Sequence, residues 1–160
     1  MIPIHDLSLV LHDSSTVPYA GDTFCAGGTT QASDYWIDFG TPQSSGALGP
    51  AGVVVGGTPI GDMAGWGLHV IVTKAYTGSL ATLALQVIQA ATGAHLEPTD
   101  GQIIGERILT QAQLTLGAHY FIPFFGKPNM EFLGAYGTAG AADSSGKLYM
   151  FIGPPSGDAD

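Results

Sequence analysis

The sequence has very little positive charge. Among its 160 residues there are 4 lysines and arginines against 13 aspartates and glutamates, which gives a formal net charge of −9. The bases are scattered along the chain, as Lys74, Arg107, Lys127 and Lys147. Nucleic-acid binding needs clustered lysine and arginine opposite the phosphates, and anionic membrane surfaces attract basic segments. We therefore expect neither nucleic acid nor a membrane among the partners of this protein.

Cysteine is almost absent. The single Cys25 excludes an internal disulfide and a cysteine-based zinc site. The 5 histidines include no close pair with the spacing of metal ligands. We predict that the protein binds neither a metal nor a cofactor. We expect Cys25 to be a small buried hydrophobe rather than a nucleophilic thiol.

Long hydrophobic runs are missing too. The longest apolar stretch, 80–91, is too short to span a bilayer and is interrupted by polar residues. No basic segment followed by an apolar one opens the chain, so we expect no secretion signal. Apolar residues nevertheless make up 45% of the sequence and charged residues only 11%. Disordered proteins have the opposite balance, with few apolar and many charged residues. We therefore expect a folded domain with its own core.

The signatures of common catalytic sites are also lacking. The sequence has no G-x-S-x-G nucleophile elbow. A glycosidase needs two carboxylates close together, and those in or beside candidate strands are Glu106 and Glu131. Because Glu106 adjoins Arg107, an exposed ion pair is the simpler expectation. We predict that the protein is not an enzyme.

The histidines do not change this prediction. His69 and His119 lie in alternating apolar runs, and we expect them to be hydrogen-bonded structural residues. His95 lies near Glu97 and Asp100 in a polar stretch. These three side chains could bind a cation, although a solvated loop is the expected structure there.

The first 65 residues differ in composition from the rest. They hold six acids and no lysine or arginine, and glycine and proline turn signals recur throughout. They also carry large apolar side chains for which a polar linker has no use. We predict that 1–65 is an extended, irregular arm with loops that contacts another subunit; the alternative is that these loops pack on the domain's own core. The candidate contact residues are Tyr19, Phe24, Tyr35, Trp36, Ile37 and Phe39.

Residues 66–153 show the alternation typical of β-strands. Period-two apolar runs bounded by turn signals occur at 66–73, 83–88, 119–123, 130–135 and 147–152. They predict an all-β domain, an antiparallel β-sandwich of the jelly-roll type. Several runs are apolar on both faces, so a loop, the arm or a neighbouring subunit must cover the second face. Residues 154–160 are expected to form a polar tail.

Two segments have patterns that are compatible with a helix. Residues 80–91 also fit an amphipathic helix, but we predict a strand because strands precede and follow them. Thr110 and Gln113 have the spacing of a capping box. We therefore expect one helical turn at 110–114.

A family resemblance rests on the order of segments from residue 65 onward. The segments are 67–72 (GLHVIV), 75–78 (AYTG), 79–87 (SLATLALQV), 108–114 (ILTQAQL), 117–123 (GAHYFIP), 129–136 (NMEFLGAY) and 146–152 (GKLYMFI). In this order they resemble the capsid cement (decoration) proteins of tailed bacteriophages, of the type known from a Bordetella phage.

The resemblance implies a structural role without catalysis. It implies a jelly roll on the outer capsid surface of the virion that staples neighbouring major capsid protein subunits, after synthesis in the host cytoplasm. The expected partners are the major capsid protein and further copies of the chain itself, as a dimer or alternatively a trimer. A second interpretation is a virion- or tail-associated carbohydrate-binding jelly-roll module. Exposed Trp36, Trp66 and Tyr136 lining one shallow groove would favour that second interpretation.

Overall fold

The computed structural model describes residues 9–17, 19–25, 29–38, 54–55, 58–59, 65–79, 81–126, 128–141, 146–157 and 159. In this part of the chain the regular structure is almost entirely β. The strands are Val10–His12 (β1), Asp22–Thr23 (β2), Thr30–Ala32 (β3), Ile37–Asp38 (β4), Val54–Val55 (β5), Thr58–Pro59 (β6), Gly67–Lys74 (β7), Thr82–Ala90 (β8), Gln102–Thr110 (β9), His119–Pro123 (β10), Phe132–Ala139 (β11) and Lys147–Gly153 (β12).

The long strands form two antiparallel sheets that pack face to face. The first sheet has the order β1-β12-β7-β10, and β2 also pairs with β12. The second has the order β3-β11-β8-β9, and β4 also pairs with β11. Strands β5 and β6 pair separately with each other. The predicted antiparallel β-sandwich is confirmed.

Alternating side chains of the two sheets form one core between them. Leu68, Val70 and Val72 point inward from β7, and the matching residues of β8 are Leu83, Leu85 and Val87. All six are fully buried, and each such side chain contributes roughly 1.5–3 kcal/mol to stability.

The ambiguous segment 80–91 forms a strand, as predicted. Strand β8 is hydrogen-bonded to β9 on one side and to β11 on the other. Its central place in the sheet outweighs the helix preference of its Ala, Leu and Gln residues, since strand formation depends mainly on neighbouring strands. The helical turn predicted at 110–114 is present as a 3₁₀ turn, Gln111–Gln113. There the Thr110 N–H donates to Oε1 of Gln113 over 2.9 Å.

Residues 9–17, 19–25 and 29–38 belong to the sandwich, so the predicted arm is wrong for this part of the chain. Leu11, Phe24 and Ile37 are buried in the main core. Strands of two or three residues fit between the turn signals, and each satisfies its backbone groups by pairing with a long strand. The rest of the predicted arm lies outside the described residues, apart from β5, β6 and Gly65.

The loop between β1 and β2 is organised by one buried carboxylate. Oδ1 of Asp13 accepts the N–H groups of Ser14 and Gly21, each over 2.8 Å, and Oδ2 accepts that of Tyr19 over 2.6 Å. Tyr19 and Gly21 both have positive φ, 66° and 68°. Because a carboxylate satisfies three amides at once, this irregular stretch packs tightly against the sheet.

Strands with two apolar faces are covered by the chain's own loops. On the outside of the first sheet, the Tyr19 ring meets the Tyr149 ring edge-on, with centroids 5.6 Å apart. On the outside of the second sheet, Leu96 from the β8–β9 connection packs with Ile88 and Ala90. The expectation of a covered second face therefore holds in these places through loops.

Substituting Gly137 tests whether Phe24 is held in the core. A Cβ at this position of β11 would overlap the Phe24 ring and approach the Cys25 sulfur. Gly137→Ala is expected to lower the free energy of unfolding by roughly 1–3 kcal/mol, as overpacked cores do. Urea unfolding followed by tryptophan fluorescence measures this.

The control is Gly126→Ala, where a Cβ meets nothing within 4 Å. Its unfolding midpoint should match that of the wild type. Wild-type stability for Gly137→Ala would mean that Phe24 does not occupy the core.

Candidate functional site

Among the predicted contact residues that the structure describes, Tyr35 and Trp36 are the most exposed aromatic ones. They lie in the connection between β3 and β4, and their exposed fractions are 46% and 52%. Ile37, the next residue, is buried in the core. Since successive side chains along an extended chain point to opposite sides, Trp36 points away from the core.

Hydrogen bonds fix this aromatic pair to the sandwich. The Tyr35 N–H donates to the Leu11 carbonyl over 2.9 Å, and Oγ of Ser33 donates to the Tyr35 carbonyl over 2.8 Å. The indole of Trp36 packs on the backbone of Gly93, where a Cβ would come within 3.2 Å of it. The two side chains are thus exposed on a rigid backbone.

The other predicted contact residues divide into three groups. Phe24 and Ile37 are buried in the chain's own core, so their prediction as capsid contacts is wrong. Tyr19 is half-buried against Tyr149. Phe39 lies outside the described residues.

The aromatic residues named for a sugar-binding groove lie in three different environments. Trp36 is exposed. Trp66 packs against the main core between the sheets, and Tyr136 packs against the outer cluster around Ile88. Of the three, Trp36 alone is exposed enough for a sugar ring to stack on it.

Among the described residues, four more exposed large apolar side chains were missed by the sequence prediction. These are Val17 in the β1–β2 loop, Ile108 on β9, Leu116 before β10 and Phe125 after β10, with exposed fractions of 58%, 59%, 71% and 72%. For Ile108 the signal was its alternation with buried Leu109. The sequence alone did not say which of the two would face outward.

The backbone positions of Glu106 and Glu131 lie well apart on the second sheet, which does not favour a glycosidase pair. Glu106 and Tyr136 lie opposite the same residue of β8, Gln86. Glu131 is five residues before Tyr136, which is about 16 Å at roughly 3.3 Å per residue. Glycosidase carboxylates lie about 5–10 Å apart.

The expected ion pair between Glu106 and Arg107 is wrong, because neighbours on a strand point to opposite faces. Oε2 of Glu106 instead accepts a hydrogen bond from Nε2 of Gln86 over 2.6 Å. The Arg107 guanidinium lies 4.7 Å from the centre of the Tyr120 ring. Its Nη1 donates to the Phe121 carbonyl over 3.4 Å, so Arg107 connects the two sheets at their β9–β10 side.

Two histidines far apart in sequence meet on the first sheet. Nδ1 of His69 lies 2.9 Å from Nε2 of His119, and Nε2 of His69 lies 2.7 Å from the Pro154 carbonyl oxygen. The His69 ring stacks on Phe151, with centroids 4.6 Å apart and planes 6° apart. The expectation of hydrogen-bonded structural histidines is confirmed, and His69 also ties the start of the predicted tail to the sheet.

Metal binding finds no support in the described geometry. In the part of the chain that the structure describes, no three His, Cys, Asp or Glu side chains are placed to hold a metal ion. The backbone of His95 lies in the 3₁₀ turn Gly93–His95. The structure does not describe the His95 side chain. The cation-binding interpretation of His95, Glu97 and Asp100 stays a prediction.

Cys25 is a buried structural residue, as predicted. Its side chain is fully buried, and its N–H donates to Oε1 of Gln31 over 2.8 Å. Burial raises the pKa of the thiol to about 12, and the backbone hydrogen bond with Gln31 opposes this rise. A thiol of this kind is a poor nucleophile, because the thiolate is the reactive form.

Alkylation tests the environment of Cys25. At about pH 8, four units below the pKa, roughly one thiol in ten thousand is ionised, and the side chain is inaccessible. The folded protein should therefore resist iodoacetamide, whereas the same protein in urea should be labelled fully, as mass spectrometry would measure. Rapid labelling of the folded protein would contradict this account.

Comparison with known proteins assigns the chain to no family. No family model matches the chain, and no curated protein matches it. Among the described residues, no helix is long and apolar enough to cross a membrane. Function must be inferred from the residues and their placement.

Proposed function

We propose that the chain is a structural virion protein that decorates the outside of a phage capsid and cements neighbouring major capsid protein subunits. The observation that carries this proposal is the exposed pair Tyr35 and Trp36, held on a rigid backbone at one side of the second sheet. Aromatic side chains dominate the energetics of protein interfaces. A rigid backbone also reduces the conformational entropy that binding removes.

The strand order supports the jelly-roll interpretation. When β3 and β4 are counted as one interrupted strand, each sheet has four strands in its main path. Their orders are β1-β12-β7-β10 and β3/β4-β11-β8-β9. A jelly roll likewise has eight strands in two four-stranded sheets. This fold is common among viral capsid and lectin domains. This architecture suits both a cement protein and a sugar-binding module, so it does not decide between them.

A carbohydrate-binding role is the second candidate. The half-exposed indole of Trp36 could stack on a sugar ring as well as on a protein surface. Trp66 and Tyr136 are partly buried in two other clusters, so they do not form one groove with Trp36. We therefore favour protein contact, for which the adjacent Tyr35 adds area.

Binding to capsids of the phage that carries the gene tests the proposed contact. Trp36→Ala should weaken attachment by about 2 kcal/mol, roughly 30-fold in Kd, as loss of an interface hot spot does. Leu116→Ala, which removes an exposed apolar side chain elsewhere, should leave the Kd unchanged. Attachment should also weaken at high salt, because the chain carries a net charge of −9.

The outcomes separate the candidates. Wild-type attachment for Trp36→Ala would remove the proposed contact. No attachment of the wild type, together with Trp36-dependent retention on a glycan array, would favour the carbohydrate module. Capsids lacking the chain should assemble but break more readily on heating or osmotic shock.

Self-association is part of the proposal, as a dimer or alternatively a trimer. The outer face of β9 carries Ile108, which is 59% exposed, next to Thr110. Opposite them on β8 stand Ala84 and Thr82. Apart from Glu106, two residues before Ile108 on the same face, these side chains carry no charge, which favours contact between two copies of a chain of net charge −9.

Substitution of Ile108 tests this interface. Ile108→Glu places a charge in the proposed contact and should convert the oligomer to a monomer in sedimentation-velocity experiments. Phe125→Glu is the control, because it alters an apolar residue that is at least as exposed and lies outside this face. A monomeric wild type, or an Ile108→Glu variant that stays oligomeric, would contradict self-association through β9.

A further inference from the structure

Strand β9 lies at one end of the strand order of the second sheet, and the direction of its backbone groups follows from hydrogen bonds of its neighbours. The Gly140 N–H donates to the Thr82 carbonyl over 2.8 Å, so Thr82 directs its backbone groups toward β11. Thr110, which stands opposite Thr82 on β9, therefore directs its own groups away from β8. Because successive residues of a strand alternate in this respect, Ile108 and Glu106 also direct theirs outward.

The chain itself closes the outward side of β9 at two points. Near one end of the strand, the Thr110 N–H donates to Oε1 of Gln113 over 2.9 Å. Near the other end, the Ile104 carbonyl accepts the Phe125 N–H over 2.6 Å. Apart from the Thr110 N–H, no described residue hydrogen-bonds to the outward backbone groups of 106–110. We call these groups the open edge.

The side chains of β9 leave the open edge accessible. Oε2 of Glu106 accepts a hydrogen bond from Nε2 of Gln86 on β8 over 2.6 Å, which draws the carboxylate back across the sheet. The Arg107 guanidinium lies 4.7 Å from the centre of the Tyr120 ring on the first sheet. Ile108 projects from the outer face and is 59% exposed. A strand that pairs here meets an apolar side chain, and both charged groups are directed away from it.

A second copy of β9 is complementary to the open edge. In antiparallel pairing about a two-fold axis, Ile108 lies opposite Ile108 of the second copy, Glu106 lies opposite Thr110, and Arg107 lies opposite Leu109. The two isoleucines then exchange both backbone hydrogen bonds, and each Glu106 N–H reaches a Thr110 carbonyl. Like charges directly opposite each other would be destabilising, and this register contains none.

We propose that two copies of the chain pair through the open edge of β9, which joins their second sheets into one row of eight strands when β3 and β4 are counted as one. This inference rests on the proposed decoration role and gives its self-association a structure. Tyr35 and Trp36 lie in the β3–β4 connection, at the side of the sheet opposite β9. The dimer therefore carries one aromatic pair at each end of the row, about 34 Å apart for seven spacings of roughly 4.8 Å.

The two ends of this row give the dimer two contact sites at a fixed separation. Through Tyr35 and Trp36 one chain contacts one capsid subunit, whereas the dimer contacts two subunits at once. Such bivalent binding raises the overall affinity by about 10²–10⁴ when the geometry fits both sites. Pairing through β9 thus turns a single aromatic contact into a connection between neighbouring subunits.

Substitution by proline tests the backbone contact. Ile108→Pro removes an outward N–H without breaking the ladder to β8, and edge strands tolerate proline in that orientation. Ile108→Ala removes the side chain and keeps the N–H. In sedimentation-velocity experiments the dimer Kd of Ile108→Pro should exceed that of Ile108→Ala by roughly tenfold, because two backbone hydrogen bonds are lost per dimer. Equal Kd values for the two variants would contradict pairing through the edge.

Disulfide trapping is a second test, which does not depend on the folding of the proline variant. Cα atoms of hydrogen-bonded partners on antiparallel strands lie about 5.5 Å apart, which suits a disulfide. Ile108→Cys should therefore form a covalent dimer under mild oxidation, while the buried Cys25 stays unreactive. Thr138→Cys, exposed on β11 of the same face, should not cross-link. A cross-link at 138, or none at 108, would overturn the proposal.

Attachment to capsids separates this inference from the decoration role. Ile108→Pro retains Tyr35 and Trp36, so it should still attach, with a Kd about 100-fold higher because bivalent binding is lost. Attachment of this variant with the wild-type Kd would contradict the two-site dimer and leave the decoration role standing. Failure of the wild type to attach, with a covalent Ile108→Cys dimer, would contradict the decoration role and leave the pairing through β9 standing.

Discussion

The pairing of the first strands with the last ones is the constraint on which the rest of the structure depends. Strand β12 pairs with β1 and β2, and β11 pairs with β3 and β4. These contacts pair the outer edges of the long strands β12 and β11 and leave only short strands at that side of each sheet. They also place Leu11, Phe24 and Ile37 in the core. Without them, the apolar residues of β11 and β12 would lose part of their cover.

The same pairing determines what the protein can present to a partner. Tyr35 and Trp36 are exposed because Ile37 is anchored in the core and the Tyr35 N–H is bonded to Leu11. A rigid aromatic pair on a low-charge sandwich suits a broad, static contact more than catalysis, since interface centres are rich in aromatic residues and poor in charge.

The long strands could be predicted from the sequence, whereas the short ones could not. Period-two alternation indicated β7, β8, β10 and β12 nearly to their ends. For β11 it started two residues too early and ended four residues too early. Strand β9 lacks clean alternation, and its register with β8 shifts between Val87 and Ile88. Two- and three-residue strands have no period to detect, so the signal in residues 9–38 was only the excess of large apolar side chains. The meeting of His69 with His119, 50 residues apart, and the exposure of Trp36 depend on tertiary pairing, which no local pattern encodes.

Hydrogen exchange on the free protein tests most directly whether residues 9–38 are part of the sandwich. The account predicts that backbone amides of β1 to β4, and the Tyr35 amide that donates to Leu11, are protected to nearly the same extent as those of β11 and β12. Exchange then reports opening of the whole domain. Rapid exchange throughout 9–38, with β7 and β8 still protected, would contradict it. The segment would then be an arm that orders only on a partner.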